Sequence, residues 1–178
     1  MKIIPPSAFV TMPWKNGGGI THEVAKEEEA GRLLWRLSVA EVGSDGPFSA
    51  FPGLSRILTV IDGEGLELQA PDGALQALPL APVAFSGDTP IISRRFNGPV
   101  RDFNVIFDGR RIAASLRVAA AGEDLAVMAE REASHALYFL TEGTANSIPI
   151  AAGSLVQVFS SCAVHSHGPV ILVRLARI

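Results

Sequence analysis

The sequence predicts an all-β protein, and three observations carry that reading. Short apolar runs recur along the chain, turn-forming residues separate them, and no segment has the length and apolar stripe of a stable helix. The runs lie at 34–42, 56–61, 66–69, 83–85, 100–107, 112–118, 125–129, 136–140, 155–159 and 170–178. Their lengths and their Val, Ile, Leu and Phe content suit strands. Residues 26–32 carry helix-forming charges but are short and lack an apolar stripe, so at most one or two short helices are expected.

Within 35–42, WRLSVAEV alternates. Trp35, Leu37, Val39 and Glu41 share one face; Arg36, Ser38, Ala40 and Val42 share the other. Asp62-Gly63, between ILTVI and GLEL, predicts a hairpin. Pro71-Asp72-Gly73 predicts a second turn, and Glu142-Gly143 plays a similar part later. The chain also reads as two unequal halves: RILTVIDGEGLEL followed by APVAFSGD, then HALYFLTEGTAN followed by IAAGSLVQVF. Two small β-barrels or sandwiches joined near AAAGE at 119–123 fit the length, giving units at 1–118 and 119–178 that are expected to share an interface.

The 178 residues are 48% hydrophobic and 19% charged, enough for a continuous core and against chain-wide disorder. A net charge of -3 and a pI near 5.8 give no general attraction for nucleic acid or anionic lipid. Arg94-Arg95 and Arg110-Arg111 are isolated pairs without interleaved aromatics. The single cysteine, Cys162, cannot form an internal disulfide, which points to a reducing compartment and a cytoplasmic location. The first residues do not resemble a signal peptide, and no apolar run reaches the roughly 20 residues of a membrane helix. The mean hydropathy of +0.29 suits many buried strands and an apolar subunit interface, so a homodimer is one expectation.

The motifs follow a definite order: Trp14-Lys15-Asn16-Gly17-Gly18-Gly19 leads to Thr21 and Glu23, then to Trp35-Arg36-Leu37-Ser38 and Ala40. Gly46-Pro47-Phe48-Ser49, Phe51-Pro52-Gly53, Arg56, Phe85-Ser86-Gly87-Asp88 and Arg101-Asp102-Phe103-Asn104-Val105 complete the series. In order and spacing this resembles the HutD/Ves family, closely over about the first 110 residues and in general character beyond them. The resemblance implies a double cupin, two fused β-barrel or jelly-roll units in one chain. It also implies an association with bacterial histidine utilisation, in regulation or ligand sensing. It brings no established reaction, and no cofactor.

Arginines within apolar strands need a partner or a polar cavity. Arg36, Ser38 and Arg56 are therefore candidate ligand contacts, since alternate side chains of a barrel strand face its interior and an arginine fork matches a carboxylate. The alternative is a structural ion pair with Glu23, Glu41 or Asp102. Thr21 and Glu23 share a face if ITHEVA is a strand, and could bond a ligand or Arg36. Asp102 and Asn104 form a similar pair, Asn104 as ligand contact and Asp102 as arginine partner. Trp14 and Asn16 are candidates carried by a glycine turn toward a pocket mouth, with Trp14 and Phe48 closing its apolar side; the alternative is a plain tight turn with a packing tryptophan. WKNGGG has neither Walker nor GxGxxG spacing.

Metal-binding cupins use HxH, a following Glu and a distant His. The histidines here are His22, His135, His165 and His167, and the one HxH, His165-Ser166-His167, has no following glutamate. No metal is assigned. Cys162 precedes His165 without a triad pattern, GxSxG is absent, and Ser49 has no partner base, so no catalytic residue is assigned. The leading expectation is a regulatory binding protein for a small, carboxylate-bearing metabolite. The rivals are a metal-independent cupin enzyme using Glu23 or Asp102 as base, and a structural or interaction protein.

Overall fold

A computed structural model describes residues 1–178 and shows strands throughout, with no α-helix. In chain order these are β1 (Lys2–Ile4), β2 (Val10–Pro13), β3 (Gly19–Glu29), β4 (Arg32–Val42), β5 (Gly46–Pro47), β6 (Ser55–Asp62), β7 (Leu66–Ala70), β8 (Gly73–Ala77), β9 (Val83–Ser86) and β10 (Ile92–Arg95). There follow β11 (Val100–Phe107), β12 (Ile112–Ala119), β13 (Leu125–Val127), β14 (Ala133–Phe139), β15 (Gly143–Ala145), β16 (Ile148–Ile150), β17 (Leu155–Val158), β18 (Cys162–Ser166) and β19 (Val170–Arg177). One 3-10 turn, Pro6–Ala8, is the sole helical element, and no helix is long and apolar enough to cross a membrane.

The chain divides into two compact units. The first barrel is Val10–Gly109; the second is Met1–Phe9 together with Arg110–Ile178. This differs from a boundary at 118/119. β12 pairs with β19 along its whole length, from Ile112 opposite Arg177 to Ala119 opposite Val170, and β1 pairs with β17. Both ends of the expected first half thus belong to the second barrel.

In the first barrel a six-stranded sheet, β2-β3-β4-β11-β6-β9, faces a four-stranded one, β5-β10-β7-β8. Val42, Leu58, Val60 and Val100 from the larger sheet pack with Leu66, Leu68 and Ala77 from the smaller. Full burial of each such Leu or Val contributes about 1.5–3 kcal/mol. In the second barrel the sheets are β1-β17-β14-β19-β12 and β13-β18-β15-β16. Its core includes Leu137, Phe139, Val156, Val158, Val164 and Val170.

One local expectation is corrected. Asp62-Gly63 does not close a hairpin: β6 pairs with β11 and β9, and β7 with β10 and β8, so the turn carries the chain from one sheet to the other. The charged stretch at 26–32 is not helical. It forms the end of the long β3–β4 hairpin, closed at Ala30 and Gly31 with φ of 49° and 73°. Positive φ at both central residues is the type I′ geometry that matches strand twist. Alanine is the strained member of that turn, and asparagine tolerates the left-handed region better. Ala30→Asn is therefore expected to stabilise the protein by about 1 kcal/mol, read as a higher urea midpoint at unchanged slope.

Candidate functional site

Strand register brings the motif residues together. On β11, Ile106 stands opposite Arg36 of β4 and Arg56 of β6; Asn104 stands opposite Ser38 and Leu58; Asp102 stands opposite Ala40 and Val60. Directly paired residues point to the same face of a sheet. That face becomes apolar toward Val42, Val60 and Val100, which belong to the core. At its other end lies a cavity of about 540 Å3. Arg36, Ser38, Arg56 and Asn104 line it from the strands, and Trp14, Asn16, Thr21 and Phe48 line it nearer the loops.

Arg56 is buried, with 7% of its surface exposed. Its Nε and Nη2 both donate to Asn104 Oδ1, at 2.9 and 2.6 Å. The guanidinium lies 4.8 Å from the Phe48 ring centre, 5.4 Å from Phe85 and 5.9 Å from Phe51. Aromatic faces favour a desolvated cation in that range. Burial pushes its pKa down to about 10, opposed by the attraction of Asp102, so Arg56 remains charged at neutral pH. Arg36 is half-buried and lies 5.1 Å from the Phe51 ring centre. Its Nε is buried without a hydrogen-bond partner. Burial lowers its pKa, and Glu23 partly restores it.

Behind the cavity wall, Asn104 relays charge. Its Nδ2 donates to Asp102 Oδ1 at 2.5 Å while its Oδ1 accepts from Arg56. A cation on one side and a carboxyl on the other fix which way the amide points. Asp102 is fully buried and its Oδ2 has no partner. Burial pushes its carboxyl up to about 6, against the pull of Arg56 and the bond from Asn104.

The WKNGGG loop is held by its own polar groups. Trp14 Nε1 donates to Thr21 Oγ1 at 2.8 Å, and Asn16 Oδ1 accepts from the Gly18 N–H at 3.0 Å. The Trp14 and Phe48 rings meet edge-to-face with centres 6.0 Å apart. Gly19 permits this placement: a Cβ there would lie 2.4 Å from Glu41 O and 3.0 Å from the Trp14 ring. Thr21 is thereby an anchor for Trp14 as well as part of the wall.

Two of the ten expected contacts, Glu23 and Asp102, are not among the lining residues. Glu23 stands opposite Ser38 but turns its carboxylate to Lys26, 3.6 Å away. Asp102 reaches Arg56 through Asn104 rather than across the cavity. The lining also includes Lys15, Ser49 and Phe51, which the sequence reading did not single out as contacts. They come from loops, where side-chain periodicity gives no signal; adjacency to motif tryptophan and phenylalanine was the available clue. No Asp or Glu lines the cavity.

The histidine pair lies elsewhere. His165 and His167 are exposed on and just after β18, ring centres 5.8 Å apart, and His165 Nδ1 is 3.1 Å from Asp124 Oδ1. Cys162 is a buried free thiol.

Two two-sheet β-barrels in one chain, the first opening onto a cationic and aromatic cavity, define a double-cupin architecture. The chain belongs to the HutD family, whose model matches residues 6–167. An uncharacterized 21.2 kDa protein from the hutC 3′ region of Pseudomonas putida is 37% identical over 121 residues, 66% of this chain and 63% of that protein. Protein Ves of Escherichia fergusonii is 33% identical over 109 residues, 60% of this chain and 57% of Ves. The matched part thus spans less than two thirds of the length of either relative. The solved structure of HutD from Pseudomonas fluorescens SBW25 superposes with a TM-score of 0.87 at 31% identity, covering 99% of this chain and 98% of that one. The pirin YhhW of Escherichia coli, at 9% identity and a TM-score of 0.71 over 99% and 98% of the chains, shares the fold.

Proposed function

We propose that the first barrel binds a small carboxylate-bearing metabolite and that the bound state serves regulation of histidine utilisation in the cytoplasm. One observation carries this reading: two guanidinium groups line a cavity that has no carboxylate in its wall. A charge withdrawn from water is retained only where something compensates it. Phenylalanine rings and one amide compensate Arg56 in part, and Arg36 keeps an unsatisfied Nε. An anionic guest completes both. The family membership and the hutC-region relative support the link to histidine utilisation. Glu23 and Asp102, the two carboxylates considered as bases, stand outside the lining, which favours binding over proton-transfer chemistry.

The test is thermal unfolding with a panel of small acids drawn from histidine breakdown. A guest specific for the folded state raises Tm with concentration. Arg36→Ala is expected to weaken that guest by about 10- to 150-fold, the worth of a hydrogen bond to a charged group. A panel that leaves Tm unmoved, or one that Arg36→Ala and the unaltered protein bind equally, overturns the proposal.

A further inference from the structure

The second barrel repeats the strand arrangement of the first. β11 lies between β4 and β6 in one; β19 lies between β12 and β14 in the other. The rung of the first barrel that holds Arg36, Ile106 and Arg56 has a counterpart. Arg174 of β19 stands opposite Ser115 of β12 and His135 of β14, and one step deeper Leu172 stands opposite Arg117 and Leu137. Leu137 belongs to this barrel's core and Leu172 packs against it. Alternation therefore turns Arg117, His135 and Arg174 toward the same interior. With Ser115 they line a cavity of about 280 Å3 that has no acidic residue in its wall.

These groups already hold a carboxylate, and it belongs to the chain. Arg174 Nε donates to Glu130 Oε1 at 2.8 Å and Nη2 to Oε2 at 2.5 Å, while Glu130 Oε1 is 3.2 Å from His135 Nε2. A two-point arginine fork beside an imidazole is a receptor geometry for a planar carboxylate. Arg117 Nη1 meets Glu123 Oε1 at 2.7 Å. Even so, His135 Nδ1 stays buried without a partner.

Glu130 is loosely held from the outside. It comes from the five residues 128–132 between β13 and β14, all of them exposed. Its side chain and that of Arg174 are 43% and 41% exposed. Ion pairs at such exposure typically favour the bound arrangement by about fivefold. An external carboxylate present in excess can exchange with it.

We propose that the mouth of the second barrel is a second carboxylate-binding site, covered by Glu130, which takes a small organic acid in exchange for the Glu130 side chain. Its cavity of about 280 Å3, against about 540 Å3 in the first barrel, restricts it to acids of a few carbons. This does not depend on the first-barrel reading, since none of the residues is shared.

Acetate is the probe, because Glu130→Ala removes a group of that size. The experiment follows the His135 ring, which reports on the second barrel, by NMR during acetate titration, in an Arg36→Ala background that weakens the first barrel. Glu130→Ala, with Glu130→Gln as a second variant, is expected to respond at about fivefold lower acetate than the background protein. Adding Arg174→Gln to either is expected to abolish the response. A His135 signal unmoved by acetate in both Glu130 variants, or a response that survives Arg174→Gln, overturns the proposal. Failure of the first-barrel reading shows separately, as an acid-induced Tm shift that Arg36→Ala leaves unchanged.

Discussion

Asp102→Asn is expected to make the protein more stable at neutral pH, by about 2–3 kcal/mol, and to leave it unchanged below about pH 4. The sign follows from burial. Asp102 has its carboxyl pushed up to about 6 from 3.8, even with Arg56 and Asn104 pulling it down. An acid whose folded pKa is raised binds more protons folded than unfolded between those two values. Stability therefore falls as pH rises through that window, and the full penalty is present above about pH 6. Asparagine keeps the Oδ1 that accepts from Asn104 Nδ2 and removes the charge. Urea unfolding from about pH 4 to 8 tests this. If Asp102 were instead the direct partner that holds Arg56 in place, its removal would cost about 3–5 kcal/mol at neutral pH. That result would sink the account. The same variant leaves Arg56 with less compensation, so affinity for an anionic guest is expected to rise along with stability.

Phe139→Ala is expected to cost about 3–5 kcal/mol, the range for a fully buried phenylalanine whose removal leaves a cavity. Phe139 has no exposed surface and lies in the core of the second barrel with Leu137, Val156 and Val170. Its backbone N–H donates to Ser154 O and its carbonyl accepts from Gly153, so the main chain is held while the ring is lost. The ring abuts Gly143, where a Cβ would come within 2.9 Å of it. Ile148→Ala, at an exposed position of the same barrel, is the control and is expected to stay within about 0.5 kcal/mol. A Phe139→Ala midpoint as close to the unaltered protein as the control would refute this description of the core.

The strands were legible because each is a short apolar run bounded by turn residues, and β4 shows how far that goes. Its alternation alone put Arg36, Ser38 and Ala40 on one face, and that face lines the cavity. What failed was long-range pairing. Asp62-Gly63 has the letters of a hairpin turn, yet nothing local reveals that β6 pairs with β11, some 40 residues on, instead of with β7. The charges at 26–29 favour a helix in isolation; pairing with β4 on one side overrides that preference. The site was half legible for the same reason. Strand residues Arg36, Arg56 and Asn104 announced themselves as polar groups in apolar runs. Lys15, Ser49 and Phe51 reach the cavity through loop paths that no periodicity encodes. Asp102 was singled out by the same rule as Asn104, but depth along the strand decides which of the two reaches the cavity.

The pairing of β1 with β17 sets the order in which the molecule can be finished during synthesis. Lys2 and Ile4 stand opposite Gln157 and Leu155, so β1 leaves the ribosome well before its partner strand does. The first barrel ends at Gly109, so all of its strands can emerge while translation continues. The opening strand must stay unpaired until some 150 further residues have emerged, because such non-local closures come late. Until then β17's place beside it is empty, and Ile3 and Ile4 of β1 are open to wrong pairings.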